Sequence, residues 1–222
     1  MNKAKRRGLA LALTAVLLFG QTRTEAQISP TPDRNTTWGA VGTIALGLGA
    51  VSQLVMPRMF YADPEVTVGW KSRWHVSVLA PVATLTMLGV LNELAIKDML
   101  KSDRPGCDDT NRGLAHCDTY GSPSTHAYGA FAALGHGVGV FLVDTTKWSG
   151  GKVTAGSLVG NVAIPFIAAT VTAVSRGAGN WENTGQVLVG GTAGLMLGFV
   201  SGMAYSLMQR PECGYSGSLM CW

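Results

Sequence analysis

The apolar residues of this chain are gathered into long runs that polar stretches separate. Beyond residue 27 there are five such runs, and most approach the ~20 residues that a helix needs to cross the apolar core of a bilayer. The runs are Trp38–Met56, His75–Ile96, Ala127–Val143, Val153–Val174 and Val187–Met208. The polar and apolar positions do not alternate as they do in strands. The pattern therefore predicts an all-α, multi-pass helical bundle.

The N-terminus carries a shorter apolar run behind a basic stretch. Four basic residues up to Arg7 precede the apolar residues Gly8–Gly20, and Ala26 follows where a cleavage site is expected. This order is typical of a secretory signal peptide, and the run is short for a membrane span. We predict a signal peptide at residues 1–26. The alternative is an uncleaved first helix, which would give six helices in place of five. Either start puts the following residues on the outer side of a membrane.

Tryptophan and glycine positions favour a bundle embedded in a membrane. Five tryptophans lie at or just beyond the ends of the runs, where indole rings prefer the bilayer interface. They are Trp38, Trp70, Trp74, Trp148 and Trp181. In the last run every fourth residue from Gly190 to Gly202 is glycine, which lets a neighbouring backbone approach one helix face. Polar interruptions such as Asn161 leave a soluble periplasmic bundle as the alternative.

Composition narrows the class of protein. Charged residues make up 14% of the chain, apolar residues 47%, and 29 residues are glycine. This balance is more typical of a membrane bundle than of a water-soluble enzyme, and the apolar content excludes disorder as the main state. The net charge of +4 comes from scattered basic residues, so we predict no nucleic-acid partner.

Three polar clusters adjoin the runs. The first begins at Lys97 and ends with Arg104; if the second helix extends that far, both cations project from one face and can clamp a phosphate. In the second, Ser124 is a candidate cap for a helix whose free N–H groups bind anions. The third lies between the last two runs and contains Arg176. Because consecutive membrane helices alternate in direction, we expect all three clusters on one side of the membrane.

The clusters resemble the motifs of the type 2 phosphatidic acid phosphatase and haloperoxidase superfamily. Members carry a lysine, six residues and Arg-Pro; then Pro-Ser-Gly-His; then Ser-Arg, five residues, a histidine, three residues and an aspartate. The first motif is complete from Lys97 to Arg104. The second is Pro123–His126, with Thr125 in place of the glycine, and the third begins at Ser175.

The resemblance implies a role for each matched residue. The phosphate-binding residues would be Lys97, Arg104, Ser124, Thr125 and Arg176. His126 would be the general acid that protonates the leaving group. The phosphate pocket would lie at helix ends on one face of the bundle, and no metal or other cofactor is expected.

The third motif departs from the family pattern at the two positions that carry its chemistry. Glu182 stands in place of the nucleophilic histidine, and Gln186 in place of the aspartate that orients it. A phosphohistidine cannot form there, and vanadate-dependent halogen chemistry would lack its ligating histidine. Glu182 can instead be a catalytic nucleophile or a base for water, although a carboxylate repels a phosphate dianion. Both an active phosphatase and a catalytically silent relative stay open.

The four cysteines indicate which side of the membrane the loop and the tail would face. Cys107 and Cys117 lie in the loop between the first two motifs, and in an exported loop we expect them to form a disulfide. Cys213 and Cys221 lie in the tail, residues 209–222, and can also pair. An exported start followed by five spans would put that tail in the cytoplasm, where disulfides are rare.

These observations define three functional hypotheses for the helical domain at residues 27–208. The first is a protein of a bacterial-type inner membrane whose site faces the periplasm and acts on or binds a phosphate monoester or pyrophosphate lipid. The second is a silent superfamily member that binds phosphate or serves in assembly. The third is a soluble periplasmic phosphatase. The sequence predicts no oligomeric state.

Overall fold

The structure is a computed structural model of the chain. It describes residues 34–59, 76–110, 120–148 and 155–208, together with positions 114, 117, 118, 151 and 153. The predicted signal peptide, Trp70, Trp74, Cys213 and Cys221 lie outside the described residues.

The described residues form five helices and contain no strand, so the predicted all-α bundle is confirmed. Helix α1 is Thr36–Met59, and helix α5 is Thr184–Met208. Helix α2 comprises Val76–Leu91, a π-helical turn at Asn92–Ile96 and a last turn at Lys97–Leu100. Helix α3 is Thr125–Val143, followed by a π-helical turn at Asp144–Trp148. Helix α4 comprises Ala155–Leu158, a π-helical turn at Val159–Ala163 and Ile164–Ala178.

Helix α3 is the centre of the bundle and packs against α1, α4 and α5. Its closest neighbour is α5, whose glycine ladder faces the α3 backbone. A Cβ atom on Gly194 would overlap the carbonyl oxygen of Tyr128, and one on Gly198 would overlap that of Ala132. The glycine spacing predicted a close approach of two helices, and these glycines bring the backbones of α3 and α5 into direct contact.

Three of the described helices are long and apolar enough to cross a membrane. They are Thr125–Lys147, Ala155–Ala178 and Thr184–Met208. Large apolar side chains such as Ile44, Phe166 and Leu188 are exposed on the outside of the bundle, where a bilayer would cover them. These features fit a membrane protein. Helix α2 carries Glu93 and Lys97 close to its C-terminal end, so its last turns belong to a polar region.

Candidate active site

A cavity of about 470 Å³, lined in part by charged side chains, lies where the ends of the helices meet. Its walls come from the first turns of α1, the end of α2 and the loop after it, the start of α3, and the link between α4 and α5. We call it the helix-end cavity. The titratable side chains in its lining are Glu93, Lys97, Arg104, His126, Arg176 and Glu182. The structure therefore places residues from all three predicted clusters around one space.

Lys97 and Arg104 reach the cavity from different elements. Helix α2 ends at Leu100 because Lys101 adopts a left-handed conformation, with φ of 43°. The condition for two cations on one helix face is therefore not met, since Arg104 lies on the loop after the helix. Lys97 itself is buried and donates a 2.7 Å hydrogen bond to Oε1 of Glu93, one helical turn earlier.

Ser124 begins α3 and is completely buried. Its hydroxyl accepts a 3.1 Å hydrogen bond from the backbone N–H of Ala127, which caps the helix as predicted. The same hydroxyl donates to Oε2 of Glu182. Ser124 therefore serves the helix and Glu182, and a phosphate would have to displace Glu182 to reach it.

The side chain of Thr125 is turned towards α2. Its hydroxyl donates to Oε1 of Glu93 and lies 3.2 Å from Nδ2 of Asn92. Burial raises the pKa of Glu93, but the hydrogen bonds from Lys97 and Thr125, with the charges of Lys97 and Arg104, outweigh it and lower the pKa. Thr125, which replaces the family glycine, thus joins the second motif to the part of α2 just before Lys97.

His126 is held by a residue of α1. The hydroxyl of Thr43 donates to the carbonyl of Gly39 at 3.0 Å and lies 3.2 Å from Nε2 of His126. The contact places Thr43 beside the imidazole at the wall of the cavity. Sequence reasoning missed Thr43. The signal that could have found it is the spacing of Thr36 and Thr43, which lie two helical turns apart at the start of α1.

Glu182 and Arg176 form a buried, bidentate ion pair. Nε and Nη2 of Arg176 each lie 3.2 Å from one carboxylate oxygen of Glu182. Only 4% of Arg176 and 3% of Glu182 is exposed, so the pair is shielded from water. The guanidinium also lies 5.1 Å from the ring centre of Trp181. This tryptophan, predicted as an interface residue, lines the cavity.

Gln186 stands where the family has the aspartate that orients the nucleophile. Here its side chain makes hydrogen bonds that hold two parts of the site in place. Its Oε1 accepts from the N–H of Asn183 at 3.0 Å, and Oδ1 of Asn183 accepts from the N–H of Gln186 at 2.9 Å. This reciprocal pair caps α5. Nε2 of Gln186 donates to the carbonyl of Asp103 at 2.6 Å, which anchors the loop beside Arg104.

A disulfide lies in the same loop. The structure joins Cys107 and Cys117, whose Cα atoms are 5.5 Å apart. Nη2 of Arg34 approaches Sγ of Cys107 at 3.8 Å, and its guanidinium lies 5.3 Å from the Trp181 ring centre. Burial and then the charges of Arg104 and Arg176 lower the pKa of Arg34. Among the described residues, no group of three His, Cys, Asp or Glu side chains lies close enough to hold a metal ion.

Comparison with known proteins agrees with the geometry of the motifs. The family model of the PAP2 superfamily matches residues 77–210, which include all three motifs and more than half of the chain. No curated protein and no solved structure matches. Helix α1 lies outside the matched residues although it supplies one wall of the cavity. The chain, by the extent of this match, belongs to the PAP2 superfamily.

Proposed function

We propose that the helix-end cavity binds the phosphate group of a lipid phosphate, and that the chain does not hydrolyse phosphate esters through a phosphohistidine. Membership of the superfamily supports phosphate-ester chemistry in general. Lys97 and Arg104 supply positive charge to the cavity, and His126 contributes an imidazole to its lining. The observation that carries the proposal is the buried pair of Glu182 with Arg176, at the position where the family has its nucleophile.

The chemistry of a carboxylate explains why binding is favoured over the family reaction. The family mechanism needs a neutral imidazole that attacks phosphorus, and Glu182 is instead held by three donors, two from Arg176 and one from Ser124. Those donors draw electron density from the carboxylate oxygens and make them poorer nucleophiles. Glu182 therefore stabilises the site and leaves phosphate binding to the other walls.

The placement of the cavity suits a ligand with an apolar tail. Arg176 and His126 lie near the ends of two helices that are apolar enough to span a bilayer, so the cavity would lie at the membrane surface. A lipid could place its phosphate in the cavity while its chains remain in the bilayer. The predicted signal peptide would put this surface on the periplasmic side of an inner membrane.

A second candidate function is hydrolysis with Glu182 in place of the histidine. It is favoured by one observation, that Glu182 and His126 line the same cavity. A carboxylate oxygen would attack phosphorus, the ester oxygen would leave with a proton from His126, and water would then cleave the acyl phosphate.

The test is phosphate release from phosphatidate and from an isoprenoid diphosphate by the purified full chain, with binding measured in the same preparations. We expect binding without release, and weaker binding by about tenfold in Lys97→Gln and Arg104→Gln. Release that is lost in both His126→Asn and Glu182→Gln would establish the second candidate. Release that survives in Glu182→Gln but not in His126→Asn would refute both mechanisms, and absence of binding would refute the proposed function.

A further inference from the structure

Both carboxylates that the described residues place in the cavity lining hold a cation there. Glu93 accepts from Nζ of Lys97 at 2.7 Å, and Glu182 accepts from Nε and Nη2 of Arg176 at 3.2 Å. Lys97 and Arg176 are thus each already next to an internal anion. The cavity accommodates less additional negative charge than its cations alone suggest.

Glu182 occupies donors that suit a phosphate. A planar guanidinium that presents two N–H groups to two oxygens binds carboxylate and phosphate in the same manner. The Ser124 hydroxyl completes this set, and it lies at a helix N-terminus, where the backbone favours a negative charge. The carboxylate of Glu182 therefore takes the place that a phosphate could occupy at these donors.

An incoming phosphate would have difficulty displacing this internal anion. Both members of the pair are buried, and separating them would leave a charge in the interior without its partner. The ligand must therefore use the remaining walls, at Lys97, Arg104 and His126, with the carboxylate of Glu182 still in place. Each additional negative charge on the ligand is then repelled by that carboxylate.

We propose that Glu182 is a specificity-determining residue: it selects singly charged phosphodiester head groups over doubly charged phosphomonoesters. This inference rests on the proposed function, because it names the class of phosphate that the cavity takes. A phosphomonoester dianion brings two negative charges to the cavity, and a phosphodiester brings one. Because Glu182 already places one negative charge in the cavity, the phosphodiester brings the total to two.

Glu93 provides the matched control. It is a second carboxylate of the same cavity, and it also lies beside a cation. Its side chain is 41% exposed, whereas that of Glu182 is 2% exposed, so water screens its charge more strongly. It also leaves the donors of Arg176 and Ser124 untouched. Removing its charge therefore tests general repulsion without opening the site that Glu182 fills.

The experiment compares two lipids with the same chains, dihexanoyl phosphatidylmethanol and dihexanoyl phosphatidate, bound to the full chain in detergent. At about pH 8 the first carries one charge and the second two. We expect native protein to bind the phosphodiester at least about tenfold more tightly. Glu182→Gln should erase or reverse this preference, and Glu93→Gln should retain it. Below about pH 6 the monoester gains a proton, so the native preference should narrow.

The outcomes separate this inference from the function on which it rests. Native protein that binds the monoester as tightly as the diester, or more tightly, overturns the inference and leaves lipid-phosphate binding standing. If Glu93→Gln and Glu182→Gln change the preference for the phosphodiester equally, Glu182 is not the residue that determines specificity, and the inference is overturned. Binding of neither lipid overturns both. If Glu182→Gln does not fold, the pH dependence in the native protein decides, and a constant preference would overturn the inference.

Discussion

Arg176 holds Glu182 by both carboxylate oxygens, across the turn that joins α4 to α5. The two residues are six positions apart, and the turn between them is tightened by a 3.1 Å bond from the N–H of Trp181 to the carbonyl of Arg176. The pair is therefore part of a local structure that orders the third motif. Its loss should affect the fold of the motif as well as its charge.

We expect Arg176→Met to lower the free energy of unfolding by about 3–5 kcal/mol, because it leaves a buried carboxylate without its partner. The double variant Arg176→Met with Glu182→Gln should lose less than Arg176→Met alone, since neither charge then remains. Reversible unfolding of the detergent-solubilised protein measures both changes. Losses that simply add in the double variant would show that the two side chains are not coupled.

Gln186 has two separable tasks, and two variants distinguish them. Gln186→Ala should lower stability by about 1–2 kcal/mol and also weaken lipid-phosphate binding, because the cap and the anchor of the Arg104 loop are lost together. Asn183→Ala removes the reciprocal half of the cap and leaves the bond to Asp103. It should reduce stability alone. Equal effects of both variants on binding would contradict a role for the anchor.

The same contact makes Gln186→Asp an unfavourable change. An aspartate lacks the amide N–H that Gln186 gives to the Asp103 carbonyl, and its negative charge would face that oxygen. We therefore expect restoration of the family residues by Glu182→His with Gln186→Asp to loosen the Arg104 loop. The single variant Glu182→His tests the nucleophile without this defect.

The contact between α3 and α5 gives a sharp test of helix packing. Gly194→Ala would place a methyl group on the Tyr128 carbonyl oxygen, and the two backbones would have to separate. We expect a loss of about 1–3 kcal/mol from this overpacking. Gly47→Ala is the control, because no atom lies within 4 Å of a Cβ atom there. It should gain up to about 1 kcal/mol from helix propensity. Similar effects of the two changes would argue against the direct backbone contact.

The lowered pKa of Glu93 predicts a dependence of stability on acid pH. A carboxyl whose pKa is lower in the folded chain binds fewer protons there than in the unfolded chain. Its contribution is therefore complete above its ordinary value of 4.5 and falls as the pH drops through the lowered value. The difference in stability between native protein and Glu93→Gln should be constant above about pH 5 and shrink as the pH falls below it. A difference that stays constant below that pH would refute the assignment.

The helices could be predicted from the sequence because each one coincides with a long and mostly apolar run. The glycine spacing in the last run also has one structural meaning, the close approach of a second helix, and the structure shows it. Ser124 could be predicted as a cap because its hydroxyl serves a backbone N–H three residues later. These features depend on residues that are near one another in the sequence.

The parts that could not be predicted depend on residues far apart in the chain. Thr43 meets His126 across 83 positions, and Gln186 meets Asp103 across the same distance. Neither contact follows from a motif, because each joins two elements that are distant in the sequence. The end of α2 before Arg104 could also not be predicted, because the left-handed Lys101 is neither glycine nor asparagine, the residues that usually mark such an end.

The π-helical turn at Asn92–Ile96 changes how the sequence of α2 should be aligned. Such a turn contains one residue more than an α-helical turn, so every residue after it is rotated by about 100° relative to a regular helix. Lys97 follows the turn directly and faces the interior because of this rotation. A homologue in which α2 is regular would present a different position of its sequence to the cavity. Its alignment with this chain would therefore require a gap of one residue inside the helix, ahead of Lys97.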